Sequence, residues 1–228
     1  MTPTCDSILT AVEVTKSFGP TQALRGVDVQ IGAGEVLAVM GPSGSGKSTL
    51  LHCLAGILQP DSGEVWFDGL RVDTLGERQR SELRRDRFGF VFQFGQLVPE
   101  LPVIENVMLP LLLAGRRRAQ ARSQAAGLFG QLELDGLEQR RPGELSGGQA
   151  QRVAVARALV SGPSVIFADE PTGSLDTLAG DRVMDLLTDC ARNQNVAVVL
   201  VTHEARVAAY ADREILVRDG RNSTLVSP

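Results

Sequence analysis

Val36-Leu37-Ala38-Val39-Met40 runs directly into Gly41-Pro42-Ser43-Gly44-Ser45-Gly46-Lys47-Ser48-Thr49, and an apolar helical stretch extends from Lys47 to about Leu54. The first five residues are continuously apolar, which suits a strand buried on both faces, as in a parallel sheet covered by helices. Residues 41–48 fit G-x-x-x-x-G-K-[ST], a loop whose backbone N–H groups cradle phosphate oxygens. Glycines let those N–H groups turn inward where side chains would block the approach. The helix opened by the loop adds positive potential from its N-terminus. Lys47 is then expected on the terminal phosphates and the Ser48 hydroxyl on Mg²⁺. A chance glycine-rich turn would not need a buried strand before it and an apolar helix after it.

Two further runs have the same character, Val165-Ile166-Phe167-Ala168 and Val196-Ala197-Val198-Val199-Leu200-Val201. Helical segments lie between and around them, Gln149 to Val160 and Leu178 to Arg192, so the order predicts an α/β core. Polar chemistry comes after each run: the glycine loop after Met40, Asp169 and Glu170 after Ala168, Thr202 and His203 after Val201. Ligands of open α/β sheets bind beyond the carboxyl ends of the strands. One carboxylate there can hold Mg²⁺ and its neighbour can polarise a water. Upstream, Val27-Asp28-Val29-Gln30-Ile31 alternates apolar and polar, Gly32-Ala33-Gly34 turns, and Glu64 to Gly69 repeats the pattern. These predict an antiparallel layer in the first seventy residues. From about Gly115 to Glu144 the composition is helical, with Arg116-Arg117-Arg118 as a solvated helix start.

The bulk numbers narrow the class. With 228 residues the chain supports one large domain, or one with a subdomain. A net charge of −4 leaves no basic footprint for nucleic acid. Cys5, Cys53 and Cys190 show no metal-ligand spacing and read as reduced thiols of a cytosolic protein. No apolar run approaches the roughly 20 residues that cross a bilayer, and the N-terminus lacks signal-peptide features. A membrane role is therefore expected through a partner. Lys16 and Lys47 are the only lysines, which makes Lys47 conspicuous.

Leu145-Ser146-Gly147-Gly148-Gln149 precedes Ala150 to Leu159 as a second small-residue turn opening a second helix, hence a second anion-binding N-terminus. With this feature in place, the chain resembles the ATP-binding subunit of ABC transporters over essentially its whole length. The motifs stand in order: Walker A at 41–49, Gln93 ending Phe88-Gly89-Phe90-Val91-Phe92, the signature at 145–149, Walker B at 165–170, the D-loop Ser174-Leu175-Asp176, and the switch His203. The resemblance implies a P-loop NTPase core with a mainly parallel sheet, an N-terminal antiparallel β subdomain and a helical signature-motif subdomain. One domain would span 1–228, with core segments at about 1–90 and 155–228 and the helical part at about 95–154. It further implies a homodimer closing head to tail on two ATP molecules. Gly41, Ser43, Gly44, Ser45, Gly46, Lys47, Ser48 and Thr49 would bind the phosphates of one. Ser146, Gly147, Gly148 and Gln149 of the other subunit would face its γ-phosphate. Glu170 would be the general base, Asp169 and Ser48 the Mg²⁺ partners, and Gln93 a sensor of Mg²⁺ and the attacking water. His203 would hold the catalytic geometry, Asp176 would couple the two sites, and Phe18 would stack on adenine. Ala150 stands where the family often has a larger polar residue, away from the phosphates.

Phe88, Phe90, Phe92 and Phe94 alternate and are expected on one strand face as core. The apolar, proline-rich Gly95 to Pro102 comes next, and its Leu97 and Leu101 are expected at a partner's docking groove. The wording of 90–113 and 168–176 resembles the MacB/LolD/FtsE group within the family. That implies a separate FtsX/MacB-type permease, and a task of export, extraction or force transmission at the cytoplasmic face of the cell membrane. A low-turnover regulatory ATPase and an importer subunit are the alternatives.

Overall fold

The computed structural model describes residues 7–225. Two sheets dominate. An antiparallel sheet is built from β1 (Ser7–Phe18), β2 (Thr21–Gly32), β4 (Ser62–Phe67) and β5 (Leu70–Arg71), in the order β2-β1-β4-β5. A larger sheet contains β3 (Val36–Met40), β6 (Phe88–Phe92), β7 (Val165–Asp169), β8 (Ala197–Val201), β9 (Arg213–Arg218) and β10 (Arg221–Leu225). Its order is β10-β9-β3-β8-β7-β6, parallel except for the β9–β10 hairpin. The helices are α1 (Lys47–Leu54), α2 (Glu77–Arg87), α3 (Val103–Leu113), α4 (Arg118–Ala126), α5 (Gly147–Leu159), α6 (Thr177–Gln194) and α7 (Ala205–Ala208). The fold is α/β with an antiparallel β layer, as the sequence predicts.

The apolar runs serve two cores at once. Leu37, Val39, Val165, Phe167, Val199 and Val201 join Leu9, Val27, Leu54 and Val65 in the core shared by the two sheets and α1. Their alternate neighbours Ile166, Ala168, Val198 and Leu200 join Val107, Val155 and Val183 in the core under α3, α5 and α6. Side chains alternate along a strand, so a strand packed on both faces must be apolar at every position. Among them runs a chain of aromatic contacts. Phe88 meets Phe67 and Phe167 edge-on, with centroids 4.9 and 5.2 Å apart, and Phe90 stacks on Phe167 at 5.6 Å. Each such pair adds about 0.5–1.5 kcal/mol beyond area burial.

Two expectations are corrected. Phe94 does not share the face of Phe88, Phe90 and Phe92; β6 ends at Phe92, and Phe94 is 75 % exposed. The cause is the turn after the strand, where Gly95 N–H donates to Phe92 O and Gly95 takes φ +64°. Between Gly115 and Glu144, helix extends only over α4, with a 3₁₀ turn at Pro142–Glu144. Linked turns fill residues 127–141 and bury Phe129, Leu132 and Leu134. Glu133 and Gly136 have positive φ there, which no continuing helix permits. Cys53 and Cys190 are free and buried, and burial pushes their thiols up to about 12 and about 11; Cys5 lies outside the described residues.

Candidate functional site

The loop after β3 is held by glycine at two points where nothing larger fits. Gly41 has φ +147°, and a Cβ there would lie 2.1 Å from Val217 O of β9. Gly46 has φ +105°, and its Cβ would lie 2.4 Å from Ala23 O of β2. The antiparallel layer therefore braces the loop directly. Gly46 also N-caps α1 without a side chain, so the first N–H groups of the helix stay available to an anion. Lys47, only 8 % exposed, donates to Gly41 O at 2.8 Å and Pro42 O at 2.9 Å, with no carboxylate partner among the described residues. The Ser45 hydroxyl is buried and unpaired. A buried ammonium held only by carbonyls, next to an orphaned hydroxyl, suits an anion. Ser43, Gly44 and Ser48 are exposed at the same turn, and Thr49 is partly buried on α1.

Sheet order brings the remaining residues to this edge. β8 lies beside β3, β7 beside β8 and β6 beside β7, so their carboxyl ends place His203, Asp169, Glu170 and Gln93 in sequence away from the loop. Thr202 N–H donates to Val39 O at 3.2 Å, tying the end of β8 to that of β3. Asp169 is the last residue of β7, level with Phe92 and Val201. Glu170 has φ +51°, a conformation costly for a side-chain-bearing residue by about 1–3 kcal/mol. Bonds from its N–H to Val201 O and from Gly173 N–H to its own carbonyl hold it there. That strain aims its carboxylate at His203, with Oε1 2.7 Å from Nδ1.

Gln93 is gripped from both sides. Its carbonyl accepts from Ser174 Oγ at 2.8 Å, and its side chain lies on Gly173, where a Cβ would come 2.8 Å from Nε2.

The second turn is built differently. Ser146 N-caps α5, with Oγ accepting from Gln149 N–H while Gln149 Oε1 accepts from Ser146 N–H, a reciprocal capping box. Gly147 and Gly148 pack on the segment after β7; a Cβ on Gly148 would sit 3.0 Å from that of Ala179. Asp176 caps α6 through Ala179 N–H at 2.9 Å. A cavity of about 350 Å³ opens here, lined by Ser146–Gln149, Arg152, Asp176 and Arg182 among others, and by no residue of 41–49. The cavity at the Ser146 turn thus takes in none of the glycine loop of the same chain. Phe18 stands 50 % exposed at the β1–β2 turn, with Lys16 Nζ 5.9 Å from its ring centre.

The family profile described as ABC transporter matches residues 24–173. This chain is an ABC transporter ATP-binding subunit. As a member of that ABC family it is an ATPase whose hydrolysis is coupled to transport. The lipoprotein-releasing system ATP-binding protein LolD of Psychrobacter arcticus is 44 % identical over 219 residues, covering 94 % of this chain and 97 % of that one. LolD of Paramagnetospirillum magneticum is 46 % identical over 200 residues, covering 87 % and 88 %. Among solved structures, the ATP-binding cassette MJ0796 in a dimeric post-hydrolysis state bound to ADP and Pi matches with TM-score 0.87 at 38 % identity, covering 96 % of this chain and 100 % of that one. These likenesses agree with the MacB/LolD/FtsE-like resemblance. Among the described residues no helix of this ABC subunit is long and apolar enough to cross a membrane.

One feature of the ABC subunit escapes sequence reading. A groove of about 480 Å³ lies between α2, β6, α3 and α5, floored by Phe88, Phe90 and Phe92, with Leu109, Pro110 and Leu113 on one wall and Arg84, Arg85 and Arg157 on its rim. Leu97 is partly buried against the core and lines no part of it, and Leu101 is likewise outside the lining. The apolar surface thus sits beside the proline-rich loop. Leu113, 67 % exposed, is its most accessible apolar residue.

Proposed function

We propose that this subunit closes head to tail with a second copy around two ATP molecules and drives a separate FtsX/MacB-type permease, in the manner of a lipoprotein-releasing ATPase. The observation that carries this reading is that the cavity at the Ser146 turn contains no residue of the glycine loop of the same chain. Turn and loop are each half of an anion site, and a second copy supplies the missing half. The identity to LolD proteins supports the branch.

Within that site each residue has a distinct task. Backbone N–H groups of Gly41 to Thr49 and the Lys47 ammonium bind the terminal phosphates, and the partner's Ser146, Gly147, Gly148 and Gln149 close over the γ-phosphate. Among the described residues no three His, Cys, Asp or Glu side chains gather as a metal cage. Mg²⁺ needs no such cage, since it is usually bound through one or two carboxylates with substrate phosphates and water. Ser48, Asp169 and Gln93 would hold it, and when bound it would neutralise charge on the phosphates. Glu170 takes the proton of the attacking water, while His203 orients its carboxylate through the 2.7 Å contact. Phe18 offers an aromatic face to adenine, and Asp176 links the two sites from its cap on α6. Residues 95–154 form the helical subdomain.

In this reading the groove on β6 is the permease seat, and the subunit works at the cytoplasmic face of the membrane. Leu113→Glu should abolish co-purification with the permease while leaving ATPase activity of the free subunit within about twofold, since an exposed residue contributes little to stability. Undiminished co-purification would remove the groove from the proposal.

A further inference from the structure

The segment that carries Gln93 is fastened to α5 at three backbone carbonyls. Gln151, only 2 % exposed, donates Nε2 to Phe92 O at 2.8 Å. Arg157 donates Nη2 to Gly95 O at 2.6 Å and Nη1 to Gln96 O at 2.8 Å. The carbonyls on both sides of Gln93 therefore belong to one helix. Gly95 faces that helix as well, since a Cβ there would come into ordinary contact with Ala150 O at 3.4 Å and Gln151 Oε1 at 3.5 Å. Hydrogen bonds donated by a guanidinium are of the stronger, charge-assisted kind. Of the two remaining carbonyls in the run, Gln93 O accepts from Ser174 Oγ and Phe94 O from Gln96 N–H.

We propose that Gln151 and Arg157 are positioning residues for ATP hydrolysis, which fix the Gln93 side chain by locking its backbone to the helix that begins at Ser146. The proposal rests on the reading of Gln93 as a contact to Mg²⁺ and the attacking water. Neither residue touches the phosphate loop; both act through the main chain of 92–96. Arg157 has no carboxylate partner among the described residues, so its charge is committed to this clamp. Burial lowers its pKa from the ordinary arginine value, as expected for a cation held by carbonyls alone. Because α5 carries the Ser146 turn at its start, a shift of that helix moves Gln93 with it. The hydrolytic geometry of one site is thereby tied to the position of the half-site offered to the other. Arg157 also lines the groove, so the same clamp registers what is seated there.

A double-mutant cycle on the full-length subunit tests this, with kcat, KM and thermal midpoint measured for each variant. Arg157→Ala and Gln151→Met should each lower kcat, toward the roughly hundredfold that misplacing a catalytic group costs. KM for ATP should stay within about twofold, since the loss falls on the transition state alone. Arg157→Lys, which retains a cationic donor, should recover part of the rate. In combination with Gln93→Ala, neither variant should reduce kcat beyond Gln93→Ala itself, because all three act through one side chain. Losses that multiply would overturn the clamp while leaving the role of Gln93 standing. A Gln93→Ala variant with full kcat would overturn that role, and the clamp with it. Should Arg157→Ala fail to fold, the Gln151→Met arm decides by the same criterion.

Discussion

Glu170→Gln should bind ATP with unchanged affinity and hydrolyse it about 10²- to 10⁴-fold more slowly, the range associated with losing a positioned general base. The amide matches the carboxylate in size and can still bond to His203, so the φ +51° turn and the 2.7 Å contact need not rearrange. What the amide cannot do is take a proton from water. The effect should therefore appear in kcat with KM preserved, and the thermal midpoint should stay near that of the parent. Hydrolysis at the parental rate would show that another group accepts the proton, and the assignment of Glu170 would be withdrawn. Stopped-flow phosphate release is the suitable measurement, since it reads chemistry separately from nucleotide exchange.

Lys47→Ala should instead weaken ATP binding, by about 10- to 100-fold if the ammonium contributes the 1.5–3 kcal/mol typical of a charge-assisted hydrogen bond. In the free subunit Lys47 already lies folded into the loop, on Gly41 O and Pro42 O. It loses little further entropy on meeting the anion. Truncation removes the only lysine of the loop and leaves the helix N-terminus and backbone N–H groups as the remaining attraction. Titration with a fluorescent ATP analogue separates the two variants: Glu170→Gln should saturate as the parent does, and Lys47→Ala should not. An unchanged affinity in Lys47→Ala would mean that the backbone cradle alone accounts for binding.

The contrast between these variants reflects what a single sequence makes legible. Strands β3, β7 and β8 could be read because burial on both faces leaves no room for a polar residue, as the division of Leu37, Val39 and Phe167 from Ile166, Val198 and Leu200 between two cores bears out. The glycine loop and the Ser146 turn were legible because their geometry needs particular residues, glycine at φ +147° and a Ser-x-x-Gln capping box. Helix α2 gave no such signal. Its sequence Glu-Arg-Gln-Arg-Ser-Glu-Leu-Arg-Arg-Asp-Arg has no apolar period, and its only buried residue is Arg80. The helix is laced by ion pairs from Glu77 to Arg80 and Arg84, which a search for an amphipathic face does not see. Composition misled at 127–141, where helix-forming residues are interrupted by glycines and Glu133 turns left-handed. Alternation misled at Phe94, because where a strand stops is decided by the next turn.

The groove and the clamp were illegible for a further reason. Arg157 and Gln151 look in sequence like ordinary polar positions of a helix, and Leu113 like the end of another. Only packing brings α5 against the carbonyls of 92–96 and α3 against the phenylalanines of β6. Long-range juxtaposition has no local signature, and both features are made of nothing else.

In the proposed dimer each ATP site is shared between two chains, and sedimentation of Glu170→Gln with ATP and Mg²⁺ reads this out. A species of two chains holding two nucleotides is expected, which dissociates when ATP is replaced by ADP. A chain that stays monomeric with ATP at saturation would mean that one chain builds a complete site.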